Sequence, residues 1–150
     1  MSFQEKNITV SLVNFTLILG FFLIRVFQMA LDGTFLPANI FRLAGIVIAL
    51  AIVITIFATI LTHIISTMME AIRTNAEPVL ESVADERDRL IDLRGTKITY
   101  SVSSAGVLIA MITFVVGQPP LVMFSLLLLF GLVAQIVGDV ARLYLYRRGF

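Results

Sequence analysis

Four long apolar segments constrain the fold of this chain more than any other feature. They cover approximately residues 8–31, 42–67, 98–117 and 119–141. Each is close to the ~20 residues that an α-helix needs to cross the hydrocarbon core of a bilayer. Backbone polar groups in lipid must be satisfied within the segment, and these segments lack the alternation of barrel strands. The sequence therefore predicts an all-α, polytopic membrane protein in which residues 1–150 form a single transmembrane domain.

Composition excludes several classes of function. Only 14% of the residues are charged and 59% are hydrophobic, whereas about a quarter of the residues of soluble proteins are charged. A net charge of +1 does not indicate a nucleic-acid partner. The chain has no cysteine, one histidine and none of the HExxH, GxSxG or Walker motifs. We therefore expect no enzyme, no catalytic residue and neither cofactor nor metal, with membrane lipid as the surrounding partner.

The positions of lysine and arginine predict the orientation in the membrane, because these residues are enriched in cytoplasmic loops. Most of them lie in the linker of about residues 70–97 and near the C-terminus: Arg73, Arg87, Arg89, Arg94, Lys97, Arg142, Arg147 and Arg148. The two short loops contain only Arg42. We expect both termini and the linker to be cytoplasmic, and the first span, preceded by Lys6 and followed by no cleavage pattern, to be a retained anchor.

The predicted topology is two helical hairpins that pack into a compact four-helix bundle. The hairpins either share a topology by necessity or form a parallel repeat, and the lack of residue-by-residue similarity favours the former. Small residues at intervals of three and four predict the inward faces of three spans. These residues are Ala44, Ile48, Ala51, Thr55, Ala58 and Thr62; Ser103, Gly106, Ala110 and Thr113; and Gly131, Ala134, Gly138 and Ala141.

A polar stripe with an apolar middle follows the first span. Its members are Asn7, Ser11, Asn14, Ile18, Phe21, Arg25, Gln28 and Asp32. Arg25 falls in the outer part of the bilayer, where an unpaired charge costs several kcal/mol. Gln28 and Asp32 lie on the same face and can satisfy it, or its side chain can snorkel to the interface. A subunit contact and a ligand or ion site are further alternatives.

Three polar residues lie near the inner ends of their helices, namely His63 on the second span and Gln135 and Asp139 on the fourth. A histidine beside a carboxylate is a candidate proton-handling pair. The alternative is a solvated cluster at the helix end, because Asp139 is three residues from Arg142.

The run ESVADERDRLIDLRGTK, residues 81–97, is the only strongly charged segment. The preceding Thr74-Asn75-Ala76-Glu77-Pro78 resembles a helix start, and Val79, Val83, Leu90 and Leu93 form a thin apolar stripe. The helix either lies on the membrane surface or extends the third span, with Gly95 as a candidate bend. Its charges either solvate a linker or form a docking surface for a partner. The candidate docking residues are Asp85, Glu86, Arg87, Asp88 and Arg89.

The stretches DERDRLIDLRGTKITY, VGQPPLVMFSLLLL and LYLYRRG resemble a group of small, uncharacterised bacterial four-helix membrane proteins. The likeness covers residues 84–150. The resemblance implies a bacterial inner membrane and a four-span plan, and it brings no activity, cofactor or catalytic residue. It also favours a functional role for Asp85, Glu86, Arg87 and Asp88.

We therefore expect a non-enzymatic protein that acts by association, as an accessory or regulatory subunit or as a homo-oligomer, with the charged linker as its docking surface. The alternative is a small transporter or channel component that uses the polar residues of its spans. Four spans would normally have to dimerise to enclose a route for a solute.

Overall fold

The computed structural model describes residues 3–74 and 86–148, and 93% of these residues are helical, with no strand among them. The elements are α1 (Phe3–Leu31), α2 (Pro37–Thr74), α3 (Glu86–Val115) and α4 (Pro120–Arg148). All four helices contain a stretch long and apolar enough to cross a membrane. The predicted all-α class and the number of apolar helices are confirmed.

The helices extend well beyond the apolar segments that predicted them. The third span, expected from residue 98, belongs to a helix that begins at Glu86 and passes through Gly95. Hydropathy marks the part of a helix that lipid can cover, whereas hydrogen bonding continues the helix beyond that part. Residues 70–74 and 86–97, which the sequence assigned to the charged linker, are therefore helical, and from Glu86 onward the charged segment extends the third helix, as one of the two predicted arrangements has it. The predicted helix start after Thr74 falls mainly outside the described residues.

Both short turns use a glycine to end one helix and a proline to begin the next. Gly33 and Gly117 have φ angles of 65° and 91°, a left-handed conformation that glycine adopts without steric cost. The amide of the residue after each glycine donates to a carbonyl five residues earlier, as in a Schellman cap. Pro37 and Pro120 occupy the first helical position, where a missing N–H costs nothing. These turns build the two predicted hairpins.

The hairpins are joined through α1 and α4. Helix α3 packs mainly on α4, α4 packs on α1, and α1 packs on α2. Along the described residues α2 and α3 share at most marginal contact, so one flank of the four-helix arrangement is open. The expectation of a compact bundle is therefore only partly met. Both chain ends lie at one end of the molecule, called here the terminal end, because the four helices alternate in direction.

A small apolar core occupies the junction of the two hairpins. It is formed by Ile18, Phe22, Leu43, Val47 and Leu132. On α1 the polar stripe is inward at Ser11 and Ile18, but its later members, from Phe21 to Asp32, are exposed. A period of 3.5 residues drifts relative to a straight helix of 3.6 residues per turn, and Phe22 takes the core position in place of Phe21.

The predicted small-residue faces are partly confirmed. Gly106, Ala110, Ala134 and Gly138 are buried, as is Ala44 on α2. Two members of the predicted faces are wrong, because Ile48 is 49% exposed and Gly131 is also exposed. Besides Ala44, α2 buries three large side chains, Ile40, Leu43 and Val47, and the last two join the core with Ile18 and Phe22 of α1. The side chains of Ala58 and Thr62 lie outside the described part of the chain.

Candidate functional site

A buried carboxylate forms the centre of a polar cluster near the terminal end. Asp139 of α4 is only 3% exposed. Its Oδ2 accepts a hydrogen bond of 2.6 Å from Ser11 Oγ of α1, and its Oδ1 accepts one of 3.2 Å from Gln135 Nε2. Arg142 Nη1 donates to the same Oδ1 at 3.1 Å. These three donors compensate for the loss of hydration that burial imposes on a carboxylate.

Arg142 links α4 to α3 by bonding with three different side chains. Its Nε donates to Asp92 Oδ1 at 2.9 Å, and its Nη2 donates to Thr96 Oγ1 at 2.9 Å. The Arg142 side chain is 13% exposed, that of Asp139 is 4% exposed and that of Asp92 is 69% exposed. One guanidinium therefore joins a buried carboxylate to an exposed one, with a nitrogen committed to each partner.

Two glycines allow α3 and α4 to approach each other closely beside this network. A Cβ at Gly95 would overlap Arg142 Cγ and would lie 2.7 Å from its Nε. A Cβ at Gly138 would overlap Thr99 Oγ1. The missing side chain at Gly95 therefore leaves a gap on α3 that the Arg142 side chain fills. Gly95 does not mark the bend that the sequence suggested, because α3 continues through it.

A second contact fixes the first turns of α3 against the end of α4. Tyr146 Oη donates to Asp88 Oδ1 at 2.8 Å, and Arg87 Nη2 donates to the Tyr146 carbonyl at 3.5 Å. Ile91, between these contacts and the Arg142 network, is completely buried. The charged part of α3 is consequently a structured element of the domain.

A cavity of about 530 Å³ adjoins the polar cluster, and all four helices contribute to its wall. Helix α2 provides Thr55 and Thr59, and the other helices provide polar side chains from their terminal-end halves. Most of the network around Asp139 is thus also part of the cavity wall.

Of the six residues that the sequence singled out within the spans, Gln135 and Asp139 are members of this cluster. The expectation of a solvated cluster with Arg142 is wrong in one respect, because the two residues pair but Asp139 is buried and the Arg142 side chain is only partly exposed. His63 lies on α2, but its side chain is outside the described residues, so a His63–Asp139 pair stays a prediction.

Arg25, Gln28 and Asp32 lie far from this cluster, near the opposite end of α1. All three are exposed, and Arg25 Nη1 donates to Gln28 Oε1 at 3.3 Å. The predicted link from Arg25 to Gln28 is therefore present. An exposed position near a helix end is also what snorkelling requires.

The candidate docking residues divide into two groups. Glu86, Arg87 and Arg89 are exposed, whereas Asp88 is half-buried and bonded to Tyr146. Asp85 lies outside the described residues. Of the predicted apolar stripe, Leu90 and Leu93 lie on α3 and are exposed, whereas Ile91 is the buried residue of this segment. Val79 and Val83 lie outside the described residues.

Sequence reasoning missed Ser11 as a partner of Asp139, and Asp92, Thr96 and Tyr146 as members of the network. A signal for α3 was present, because Asp88, Asp92 and Thr96 are spaced by four residues and share one face. On α4, Asp139, Arg142 and Tyr146 show the matching spacing of three and four. Reading the two stripes as facing surfaces would have identified the contact.

No metal centre emerges from the described ranges, 3–74 and 86–148, where no three His, Asp or Glu side chains are grouped so as to hold an ion. Comparison of the chain with family models, curated proteins and solved structures finds no match in any of the three. Functional reasoning therefore depends on the geometry of the chain itself.

Proposed function

We propose that the protein acts by association in the bacterial inner membrane, as an accessory or regulatory subunit or as a homo-oligomer. Its contact surface is the outer face of the first turns of α3. This surface faces the cytoplasm, as do both termini. The observation that carries this proposal is the exposure of two leucines, Leu90 and Leu93, on a charged helix that is fixed to the rest of the domain.

The leucines are exposed because the opposite side of α3 is the one that packs. Leu90 is 50% exposed and Leu93 is 57% exposed, whereas the neighbouring Ile91 is completely buried. The bonds from Arg142 to Asp92 and from Tyr146 to Asp88 hold this orientation. A partner would therefore bind a pre-ordered surface and would avoid much of the entropic cost of ordering it.

The charges around the leucines define the chemistry of the partner. Arg94 and Lys97 are exposed on the same side of the helix, and Glu86 begins it. Apolar side chains surrounded by basic ones complement a protein surface with an apolar centre and acidic residues at its rim. We infer a membrane protein partner with such a surface on its cytoplasmic side.

The test replaces the two leucines and compares capture of partners from native membranes. The L90S/L93S variant and the unmodified protein would be solubilised gently, captured through a C-terminal tag, and analysed by native mass spectrometry. We expect a stoichiometric complex with the unmodified protein and its loss with L90S/L93S, because a few central apolar contacts provide most of the binding energy of an interface.

The matched control is L31S/L36S, which removes two leucines at the opposite end. Leu31 is 72% exposed and Leu36 is 56% exposed. A complex that survives L90S/L93S, or that L31S/L36S disrupts equally, would contradict the assignment of the surface to α3. A monomer without any partner would contradict association itself.

A further inference from the structure

The cavity beside Asp139 has the size of a small-ligand site and is lined mainly by residues with polar side chains. Its volume of about 530 Å³ falls within the range of ~300–1,000 Å³ that is typical of ligand pockets. All but two of the described lining residues, Ile8 and Ile91, have polar side chains. Side chains that can accept a hydrogen bond come from all four helices: Gln4, Asn7, Ser11, Thr55, Thr59, Asp88, Asp92, Gln135, Asp139 and Tyr146.

The charges of the wall favour a cation. The described lining contains the carboxylates of Asp88, Asp92 and Asp139 and the guanidinium groups of Arg89 and Arg142, so one negative charge is in excess. Arg142 donates to Asp92, Thr96 and Asp139, one nitrogen to each. An anion at Arg142 would have to displace these acceptors, and the remaining guanidinium, Arg89, is outnumbered by the three carboxylates of the wall, whereas a cation adds to the carboxylates without breaking a bond.

The kind of cation follows from the types of side chain. The described residues contain no group of carboxylates and histidine that could hold a metal ion. Among the described residues of the wall, Tyr146 is the only aromatic one, whereas quaternary ammonium groups are usually recognised by aromatic cages. An ammonium group with N–H donors matches a wall of carboxylate, amide and hydroxyl oxygens.

We propose that this cavity binds a ligand that carries a primary ammonium group, with Asp92 as its main charged contact. The 69% exposure of the Asp92 side chain leaves most of its carboxylate accessible beyond the bond to Arg142. The group can belong to a free amine or to an ethanolamine lipid headgroup. Both sources can reach the cavity, because it lies at the terminal end and beside the open flank between α2 and α3.

The experiment separates the two sources. The full chain would be reconstituted in nanodiscs of phosphatidylcholine and titrated with ethanolamine by calorimetry, with choline as the methylated counterpart. In parallel, native mass spectrometry would compare retention of phosphatidylethanolamine and phosphatidylcholine. We expect ethanolamine or phosphatidylethanolamine to bind in preference to its choline counterpart, and Asp92→Asn to weaken that binding at least about tenfold, as for loss of a hydrogen bond to a charged group.

Two further variants make the result interpretable. Asp32→Asn removes an exposed carboxylate at the opposite end of α1 and should leave binding unchanged. Thr59→Leu places an apolar side chain in the cavity from α2 and should abolish binding without altering the Arg142 network, so it serves as the test if Asp92→Asn fails to fold. Equal binding of the choline counterparts, no binding of either ethanolamine probe, or unchanged binding in Thr59→Leu would overturn the proposal.

Discussion

Replacing Gly106 with alanine should separate α3 from α4. Gly106 is buried on α3, and a Cβ there would overlap Phe130 Cβ and Cγ and would lie 2.8 Å from Cδ1. Rotation about χ1 of Phe130 moves Cδ1 but cannot move Cβ, which is attached directly to the backbone of α4. The added methyl group can therefore be accommodated only if the two helices move apart.

The expected cost can be worked out from two opposing effects. Overpacking of a tightly packed contact costs about 1–3 kcal/mol, and an overlap with Cβ belongs at the upper end of that range. Alanine in place of glycine within a helix contributes about 1 kcal/mol of stability. The free energy of unfolding of Gly106→Ala should therefore fall by about 2 kcal/mol.

Gly131→Ala is the matched control. Gly131 lies exposed on α4, and a Cβ added there would have no other atom within 4 Å. It carries the same gain in helix propensity without the overlap, so the two variants should differ by about 3 kcal/mol. Unfolding by sodium dodecyl sulfate in mixed micelles measures this difference. Equal stability of the two variants would refute the close approach of α3 and α4 at Gly106.

Three other substitutions test the polar groups, each by the same unfolding measurement. Arg142→Gln should lower the free energy of unfolding by about 3 kcal/mol or more, because it leaves the buried Asp139 carboxylate without its countercharge. Adding Asp139→Asn should restore part of this loss. If the effects of the two substitutions simply add, the two residues do not form a coupled pair. Asn14→Leu should stabilise by about 1 kcal/mol, since Asn14 Nδ2 is buried without a hydrogen-bond partner among the described residues, and destabilisation would reveal a bond to this nitrogen. Arg25→Leu should leave stability and assembly unchanged if the exposed Arg25 only snorkels, whereas loss of assembly would identify it as a subunit contact.

The number and type of the elements were accessible from the sequence because they follow from local physical chemistry. A continuous apolar segment of about 20 residues has one way to satisfy its backbone in lipid. The small residues Gly106, Ala110, Ala134 and Gly138 were also identified correctly, since close helix approach requires little side-chain volume. Gly131 was predicted to be buried on the same ground but is exposed, because a small residue permits a helix contact without requiring one.

The candidate site was only partly predictable from the sequence. Gln135 and Asp139 attracted attention as polar residues within a span, which burial makes costly. Asp92 and Thr96 did not, because they lie in a segment that is polar enough to be read as solvated. Their importance depends on α3 continuing as a helix to Glu86, which places them opposite Arg142.

By itself the sequence determined an all-α chain with four helices apolar enough for a membrane and short turns inside each hairpin, since these properties depend on composition and on neighbouring residues. Only the tertiary structure decided that α4 packs on α1 and so links the two hairpins, that α2 and α3 share at most marginal contact along the described residues, and that Arg142 connects Asp92 to Asp139. Those features depend on helix rotation and on distances between side chains far apart in the chain, 50 positions for Asp92 and Arg142. In lipid, where apolar faces gain little from contact with one another, rotation is set by the fit of small residues and by polar bonds between helices.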